Sequence, residues 1–286
     1  MEEQLNSILS QTCLPDELIV VDDNSTDHTV EILRSFCEKY PIVHLHQNAK
    51  QLGAVKNFEK AMLLAKNELI AISDQDDIWH PQKLEKLLFN FSENSLLIYC
   101  NSVRFTNKAD FNVKPSPKYV RFHGRDGRKI FLFNTISGHA MLLRRKLFEL
   151  ARPFTSEVMY DWWMGIIAAY NGGVDYVAET LVLQRVHGSN LSINEKYDYG
   201  NSVNRNKFKQ MVLEHLYQFT KTPSMPDDHK KFIEKLFFLW KDAQNKKYSF
   251  RLFFFLMKHR KVLFAFKKKK LVFFSNLKYS WWFSTN

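Results

Sequence analysis

The 286 residues are 45% hydrophobic and 15% aromatic, and they carry a formal charge of +11. So much apolar material supports one substantial core and excludes wholesale disorder, while three cysteines without metal-ligand spacing exclude a disulfide scaffold and suit a reducing cytoplasm. The 11 cations beyond Asp242 meet no acid there, which leaves 30 cations and 30 acids in residues 1–242, so the basicity describes a tail and not the body.

The amino terminus, Met-Glu-Glu-Gln-Leu-Asn, has no basic region followed by an apolar one, and no signal peptide is expected. Glu17 to Val21 is a short apolar run that predicts a strand, with the polar turn Asp22-Asp23-Asn24-Ser25-Thr26-Asp27 behind it. Val30, Ile32, Leu33 and Phe36 give a helical stripe, with Asp27 placed to favour the helix dipole. Ile42 to Leu45 predicts a second strand. Gly53 precedes a helix that carries Ala54, Phe58, Ala61, Met62 and Ala65 on one face.

The next apolar run, Leu69 to Ile72, ends at Ser73 and gives way to Asp74-Gln75-Asp76-Asp77. In open α/β sheets ligands sit outside the carboxyl ends of strands, so these acids would point into a cleft. Carboxylates so close repel one another unless something positive lies between them, and hard oxygen ligands suit magnesium or manganese. A solvated turn leading into the next helix explains the same residues. Pro81 opens that helix, and Leu96 to Cys100 predicts another strand. Strands and helices alternating at such intervals predict a mainly parallel sheet covered on both faces.

Residues 107–128 are rich in Lys, Pro and Gly and read as a loop, and a mixed segment follows at Ser137-Gly138-His139-Ala140-Met141-Leu142-Leu143. An aromatic helix, Trp162 to Tyr170, stops at Asn171-Gly172-Gly173, and Val174 to Val186 is strand-like. Beyond Gly188 come a polar linker, helices near 205–220 and 228–246, and a basic aromatic tail from 248 to 286.

Four motifs now stand in order: Leu-Ile-Val-Val-Asp-Asp-Asn-Ser-Thr-Asp (18–27), Asp-Gln-Asp-Asp-Ile-Trp (74–79), Tyr-Asp-Trp-Trp (160–163) and Gln-Arg-Val-His-Gly-Ser-Asn (184–190). Together they resemble family-2 glycosyltransferases of the GT-A fold, especially bacterial members that build surface polysaccharides and are loosely called rhamnosyltransferases. The resemblance covers roughly residues 1–195. It implies that Asp22 and Asp23 hold the base and ribose of a nucleotide-diphospho-sugar, roles that hydrogen-bond acceptors can fill. The same acids also suit a turn that caps the next helix. Asp74 and Asp76 match the family's Asp-x-Asp, which implies contacts to the ribose and to a divalent cation, manganese or magnesium. Asp76 is the first choice as metal ligand, with Asp77 beside it.

Lys56 is a candidate for the diphosphate or base, or else a solvated helix lysine. Asp161 falls where the family places its catalytic base, with Trp162 and Trp163 as apolar surroundings that would raise its pKa; an Asp there also serves as a helix cap. His187 matches a family histidine that approaches the metal or diphosphate, and Arg185 accompanies it. One departure stands out. The family opens with a strand and a Pro-x-Tyr-Asn loop, whereas this chain starts in what reads as the helix after that loop. A missing strand would leave main-chain groups unpaired and an apolar face exposed, through a misplaced start or a fragment with weakened donor binding.

In the tail, Phe, Leu, Trp and Tyr are interleaved with lysines, and the longest uncharged run is well below the ~18 residues of a spanning helix. Such a segment suits the headgroup region of a membrane, each Lys or Arg adding about 1 kcal/mol on anionic lipid. A helical subdomain with solvated lysines is the alternative, and nucleic acid is the least favoured partner.

The expectation is a GT-A-like domain over residues 1–195 and a helical, membrane-associating extension over 196–286. Its function would be inverting sugar transfer to a glycan or lipid-linked glycan, at the cytoplasmic face of the cell membrane. Alternatives are a catalytically silent nucleotide-sugar- or glycan-binding homologue, and a basic membrane- or nucleic-acid-binding protein. A dinucleotide-dependent dehydrogenase is disfavoured because no Gly-x-Gly-x-x-Gly follows a candidate strand.

Overall fold

The apolar run after Glu17 forms strand β1 (Leu18–Asp22), and the run after Pro41 forms β2 (Val43–Gln47). The two pair in parallel with Leu18 opposite Val43, a geometry that needs a crossover. Helix α2 (Thr29–Lys39) supplies it and buries Leu33 of its apolar stripe. Helix α1 (Glu2–Leu9) precedes this unit, and α3 (Ala54–Leu64) follows it. These elements belong to a computed structural model that describes residues 1–106, 109–114, 119–186, 202–267 and 272–285.

A second sheet is built from β3 (Leu69–Ala71), β4 (Ile78–Trp79), β5 (Leu97–Phe105), β6 (Met141–Arg144) and β7 (Val174–Arg185), in the spatial order β3-β6-β5-β7-β4. The architecture is mixed α/β, as expected, but the pairing is not mainly parallel. Parallel pairing is confined to β1 and β2 among the described ladders, whereas β3–β6, β5–β6 and β4–β7 are antiparallel. The cause is the excursion between β5 and β6, which returns the chain beside β5 in the opposite direction without a crossover helix.

β5 is the centre of the core: Leu97, Ile98 and Tyr99 are fully buried. Helix α4 (Lys83–Asn90) packs Leu84 and Leu87 into the cluster that holds Ile98, Leu142 and Val182.

Among the described residues, β1 and β3 each have a strand partner on one side only. Their open sides line one apolar slot of about 430 Å3, with Leu18 to Val21 on one wall, Leu69 to Ile72 on the other, and Phe58 and Met62 of α3 also lining it. The N–H of Leu18 donates to Ile42 O, so the alternate residues Ile19 and Val21 turn their main-chain groups away from β2. By the same alternation the N–H of Ile72 donates to Met141 O, and Leu69 and Ala71 face away from β6.

The chain divides into two compact units, one of residues 1–115, 137–156 and 175–187, the other of residues 116–136, 157–174 and 188–286. A single boundary near residue 195 does not describe this division. The second unit contains α6 (Tyr160–Asn171), α7 (Ser202–Phe219), α8 (Asp227–Ala243), α9 (Phe250–Lys258), α10 (Arg260–Leu263) and α11 (Val272–Ser284); α5 (Arg145–Ala151) stays with the first.

Segment 116–136 joins the helices because its phenylalanines enter their core. The ring of Phe133 lies 4.0 Å from that of Phe266 and 5.9 Å from that of Phe283, and Phe131 stacks 6.1 Å from Phe219. The tail therefore has two aromatic populations. Phe264 and Phe283 are buried, while Phe250, Phe254, Phe274 and Trp281 are exposed. No helix among the described residues is long and apolar enough to cross a membrane.

Phe283 packs against Phe133, Phe208, Trp240 and Phe264 and is 2% exposed. Phe283→Ala is expected to lower stability by about 3–5 kcal/mol in denaturant titration, because the cavity it leaves is walled by rigid rings. A loss below about 1 kcal/mol would show that these aromatics do not form one core.

Candidate functional site

The acidic turn after β3 is held by residues at the front of the chain. Gln4 Nε2 donates to Ser73 Oγ at 3.1 Å, and the N–H of Trp79 donates to Ser7 Oγ at 3.1 Å. Gln11 donates through Nε2 to His80 O at 2.8 Å and accepts at Oε1 from the N–H of Leu84 at 3.1 Å. Leu5 and Ile8 bury the apolar face of α1 beneath these bonds. Residues 73–84 are thus splinted at both ends by one helix and the turn after it.

Within that splint, Asp74 and Asp77 meet His139, and one ligand atom from each lies within 4.8 Å of the other two. His139 arrives on the short turn Gly138–Ala140 that leads into β6. Asp77 is fully buried, and neither of its carboxylate oxygens has a hydrogen-bond partner. Burial, then the charges of Asp74 and Asp76, push its carboxyl up to about 8. Burial and the Asp76 charge raise Asp74 to about 6. His139 moves the other way: burial, then the cations Lys83 and Arg104, bring it down to about 3, so its imidazole is neutral. Its Nε2 has no partner, and its Nδ1 lies 3.8 Å from Asp74 Oδ2.

Lys83, at the first position of α4, is fully buried with its ammonium 3.3 Å from the centroid of the Trp79 ring. It donates to His139 O at 3.2 Å, and burial lowers it to about 8 against the pull of the neighbouring carboxylates. A dication fits this group. Two carboxylates and a neutral imidazole are a donor set for manganese or magnesium, and partnerless oxygens on a buried acid are satisfied by metal charge.

At the carboxyl end of β1, Asp22 is buried and its Oδ2 accepts from Ser25 N–H at 3.1 Å. Asp23 accepts from Leu52 N–H and Asn48 Nδ2, both at 2.7 Å, and from Gly53 N–H at 2.9 Å. Burial acts to raise the Asp23 carboxyl, but these donors and the Lys60 charge outweigh it and hold the group low. Gly53 stands at φ +79°, a region that a side chain resists, and its N–H reaches Asp23 from there. Lys56 does not extend freely: its ammonium donates to Glu59 Oε2 and Phe154 O, each at 2.6 Å.

Asp161 lies in the first turn of α6, in the second unit, and its Oδ1 accepts from Trp162 N–H at 2.7 Å. Trp162 is a packing residue, with Nε1 donating to Ile130 O and its ring 4.7 Å from that of His215. Trp163 stacks on Phe219. His187 lies outside the described residues. Arg185 forms an ion pair with Glu3 and lies over the Phe105 ring at 4.7 Å. Of the expected metal set of Asp76, Asp77 and His187, His187 lies outside the described residues, and among the described residues the group that meets is Asp74, Asp77 and His139. Asp77 is kept, Asp74 and His139 join it, and Asp76 acts on both acids through its charge.

The sequence held a signal for Lys83 that was not used: it occupies the same face of α4 as Leu84 and Leu87, where a lysine is buried only if paired. For His139 the signal was its place two residues before Met141, where the apolar run to Leu143 opens β6.

A sequence model of the family described as "Glycosyl transferase family 2" matches residues 1–150. An uncharacterized glycosyltransferase of Nostoc sp. is 27% identical over 203 residues, covering 66% of this chain and 62% of that protein. The UDP-Glc:alpha-D-GlcNAc-diphosphoundecaprenol beta-1,3-glucosyltransferase WfaP of Escherichia coli is 26% identical over 213 residues, 73% of this chain and 76% of its own. The chain spans just under two thirds of the length of the first curated relatives it matches. In structure it is similar to S. aureus TarS 1-349 in complex with UDP-GlcNAc, with a TM-score of 0.61 at 15% identity over 98% of this chain and 85% of that one. The mannosyltransferase PcManGT from Pyrobaculum calidifontis, in complex with GDP-Man and Mn2+, gives 0.56 at 17% identity over 83% and 65%.

The Asp77 carboxyl, ordinarily near 3.8, holds its proton to about 8 in the folded state. The unfolded chain releases that proton first, so the metal-free protein loses stability as pH rises from 3.8 through about 8. Asp77→Asn keeps the uncharged shape and should melt higher than the parent at pH 8, by a margin that closes toward pH 4. Manganese should raise the melting temperature of the parent, more at pH 8 than at pH 6, and leave the variant nearly unmoved. A pH-independent margin between the two proteins would remove Asp77 from the cluster's titration.

Proposed function

Because the chain belongs to glycosyl transferase family 2 and has the GT-A fold, we propose that it transfers a sugar from a nucleotide-diphosphate donor to a glycan or lipid-linked glycan acceptor in bacterial surface-polysaccharide synthesis. The observation that carries this is the buried group of Asp74, Asp77 and His139, with partnerless oxygens and nitrogen, after the strand end where open sheets bind ligands. The ligand class is supported by WfaP, a UDP-Glc glucosyltransferase, and by the complexes of TarS with UDP-GlcNAc and of PcManGT with GDP-Man.

Asp22 and Asp23 accept hydrogen bonds from the base and ribose, and the bonds from Leu52, Gly53 and Asn48 hold Asp23 ionised and oriented for that task. Asp74, Asp77 and His139 hold manganese or magnesium, which when bound offsets the negative charge gathering on the departing diphosphate. Asp76 adds its field and a further carboxylate to the ribose. Lys56 buttresses α3 against Phe154, so its part in donor binding is indirect.

Asp161 takes the proton from the acceptor hydroxyl. The freed oxygen bonds to the anomeric carbon as the bond from that carbon to the diphosphate oxygen breaks, in one inverting displacement. The cationic, aromatic tail brings the protein to the inner face of the cell membrane, where a lipid-linked acceptor lies.

One observation favours a second function, nucleotide-sugar binding without turnover: Lys83 already supplies positive charge to the acidic group. Transfer assays with manganese and activated sugars separate the two.

Asp161→Asn should lower turnover by about a hundredfold to ten-thousandfold, the range for loss of a general base, with donor affinity by calorimetry unchanged. Unchanged turnover would take the role of base from Asp161.

A further inference from the structure

The second unit contains a cavity of about 540 Å3 lined by residues of 120–135, of 260–267, and of the start of α11 as far as Asn276. Arg121, Lys129, Arg260, Lys261 and Lys267 line it together with His123, and no Asp or Glu does. Among the described residues, no carboxylate lies within ion-pair distance of Arg121, Lys129, Arg260 or Lys261. Cations gathered at a concave surface without acids repel one another, and an anion relieves that repulsion.

Several of these groups are fixed in place. Arg121 gives one N–H to Thr135 O at 3.4 Å, and Arg260 gives one to Met257 O at 2.8 Å, which leaves further guanidinium donors on each. Lys267 donates to Ser275 Oγ at 3.2 Å and lies 3.4 Å from the centroid of the Tyr279 ring.

An independent observation points to a ligand. Asn276 is 3% exposed, lines the cavity, and its Oδ1 has no hydrogen-bond partner. A buried amide oxygen without a donor carries a free-energy penalty that a ligand hydroxyl would remove. The lining also includes Val272 and Phe273, and α11 continues outward with Phe274, Leu277 and Trp281 exposed at helical spacing along one side. Cations within, a lone amide, and an apolar stripe outside match a phosphate ester that bears hydroxyls and an attached hydrocarbon chain.

We propose that this cavity binds the phosphate group of an anionic amphiphile, with Arg121, Lys129, Arg260 and Lys261 on the phosphate oxygens and Asn276 on a hydroxyl. The site stands on the second unit alone and does not depend on sugar transfer.

The full chain is tested by calorimetry with inorganic pyrophosphate and by co-sedimentation with vesicles of phosphatidylglycerol in phosphatidylcholine, against pure phosphatidylcholine. Paired variants Arg121→Gln and Lys129→Gln are compared with Lys247→Gln and Lys278→Gln, which lie outside the lining, after thermal melts confirm folding. Each cavity variant is expected to weaken binding about tenfold, while the outside variants change it less than twofold.

Pyrophosphate binding that the cavity variants lose, without vesicle binding that they also weaken, would overturn the amphiphile as the ligand and leave a soluble phosphate. Binding to anionic vesicles, lost in the same variants, supports the site with a lipid headgroup as the source. Equal weakening in all four variants would mean diffuse surface attraction and overturn the proposal, as would no binding in either assay. Asn276→Asp adds a repulsive charge at the amide, and an unaltered affinity in that variant also overturns it.

Discussion

Three carboxylates stand within four residues at the end of a short strand, and one of them is sealed from water. Ionising Asp77 there requires a nearby positive charge, because burial and its two acidic neighbours all oppose it. The surrounding structure answers that demand only in part. Lys83 brings an ammonium under the Trp79 ring, yet it is itself so buried that its proton is loosely held. His139 is neutral and adds a lone pair in place of charge. One weakly held ammonium proton, a neutral imidazole and two reluctant acids form a group whose charge state changes when a dication enters. The splint from Gln4, Ser7 and Gln11 fixes the geometry in which this happens.

The local part of this was legible in the sequence. β1, β2, β3 and β5 begin and end within a few residues of the apolar runs that predict them, and α6 stops at its glycines, because burial on both faces and chain breakers are written in neighbouring residues. The acids at Asp22, Asp23, Asp74 and Asp77 stand out in the sequence for the same reason: they lie at or shortly beyond the ends of apolar runs that form β1 and β3. What was not legible depends on residues far apart in the chain. His139 reaches Asp74 because β6 pairs with β3, a long-range antiparallel ladder that alternation of elements does not announce. Lys83 would have been visible had its position beside Leu84 and Leu87 been weighed against its charge. The division into two units is not written in neighbouring residues, because Phe131 and Phe133 sit in a stretch that follows a loop and their partners lie some 80 to 150 residues onward.

The aromatic tail resolves into two jobs. Phe264 and Phe283 replace solvent inside the helical unit, and burial of Phe264 anchors the end of α10, which carries Arg260 and Lys261. Phe274 and Trp281 stand exposed on the same helix as Phe283, so the packed residue determines where these two stand. A polybasic segment with no such core would present its cations in no fixed order, and could bind charge without selecting a shape.

The uncovered sides of β1 and β3 have a practical corollary. Each presents a row of amide and carbonyl groups beside apolar side chains, which is a template for any extended polypeptide that meets it. Among the described residues no strand pairs with these rows, and Asn57 Nδ2 donates to Val21 O on the open side of β1. Dilute handling and a net positive surface work against pairing between molecules. The two strand borders, each a few residues long, therefore bear on self-association alongside the net charge of the chain.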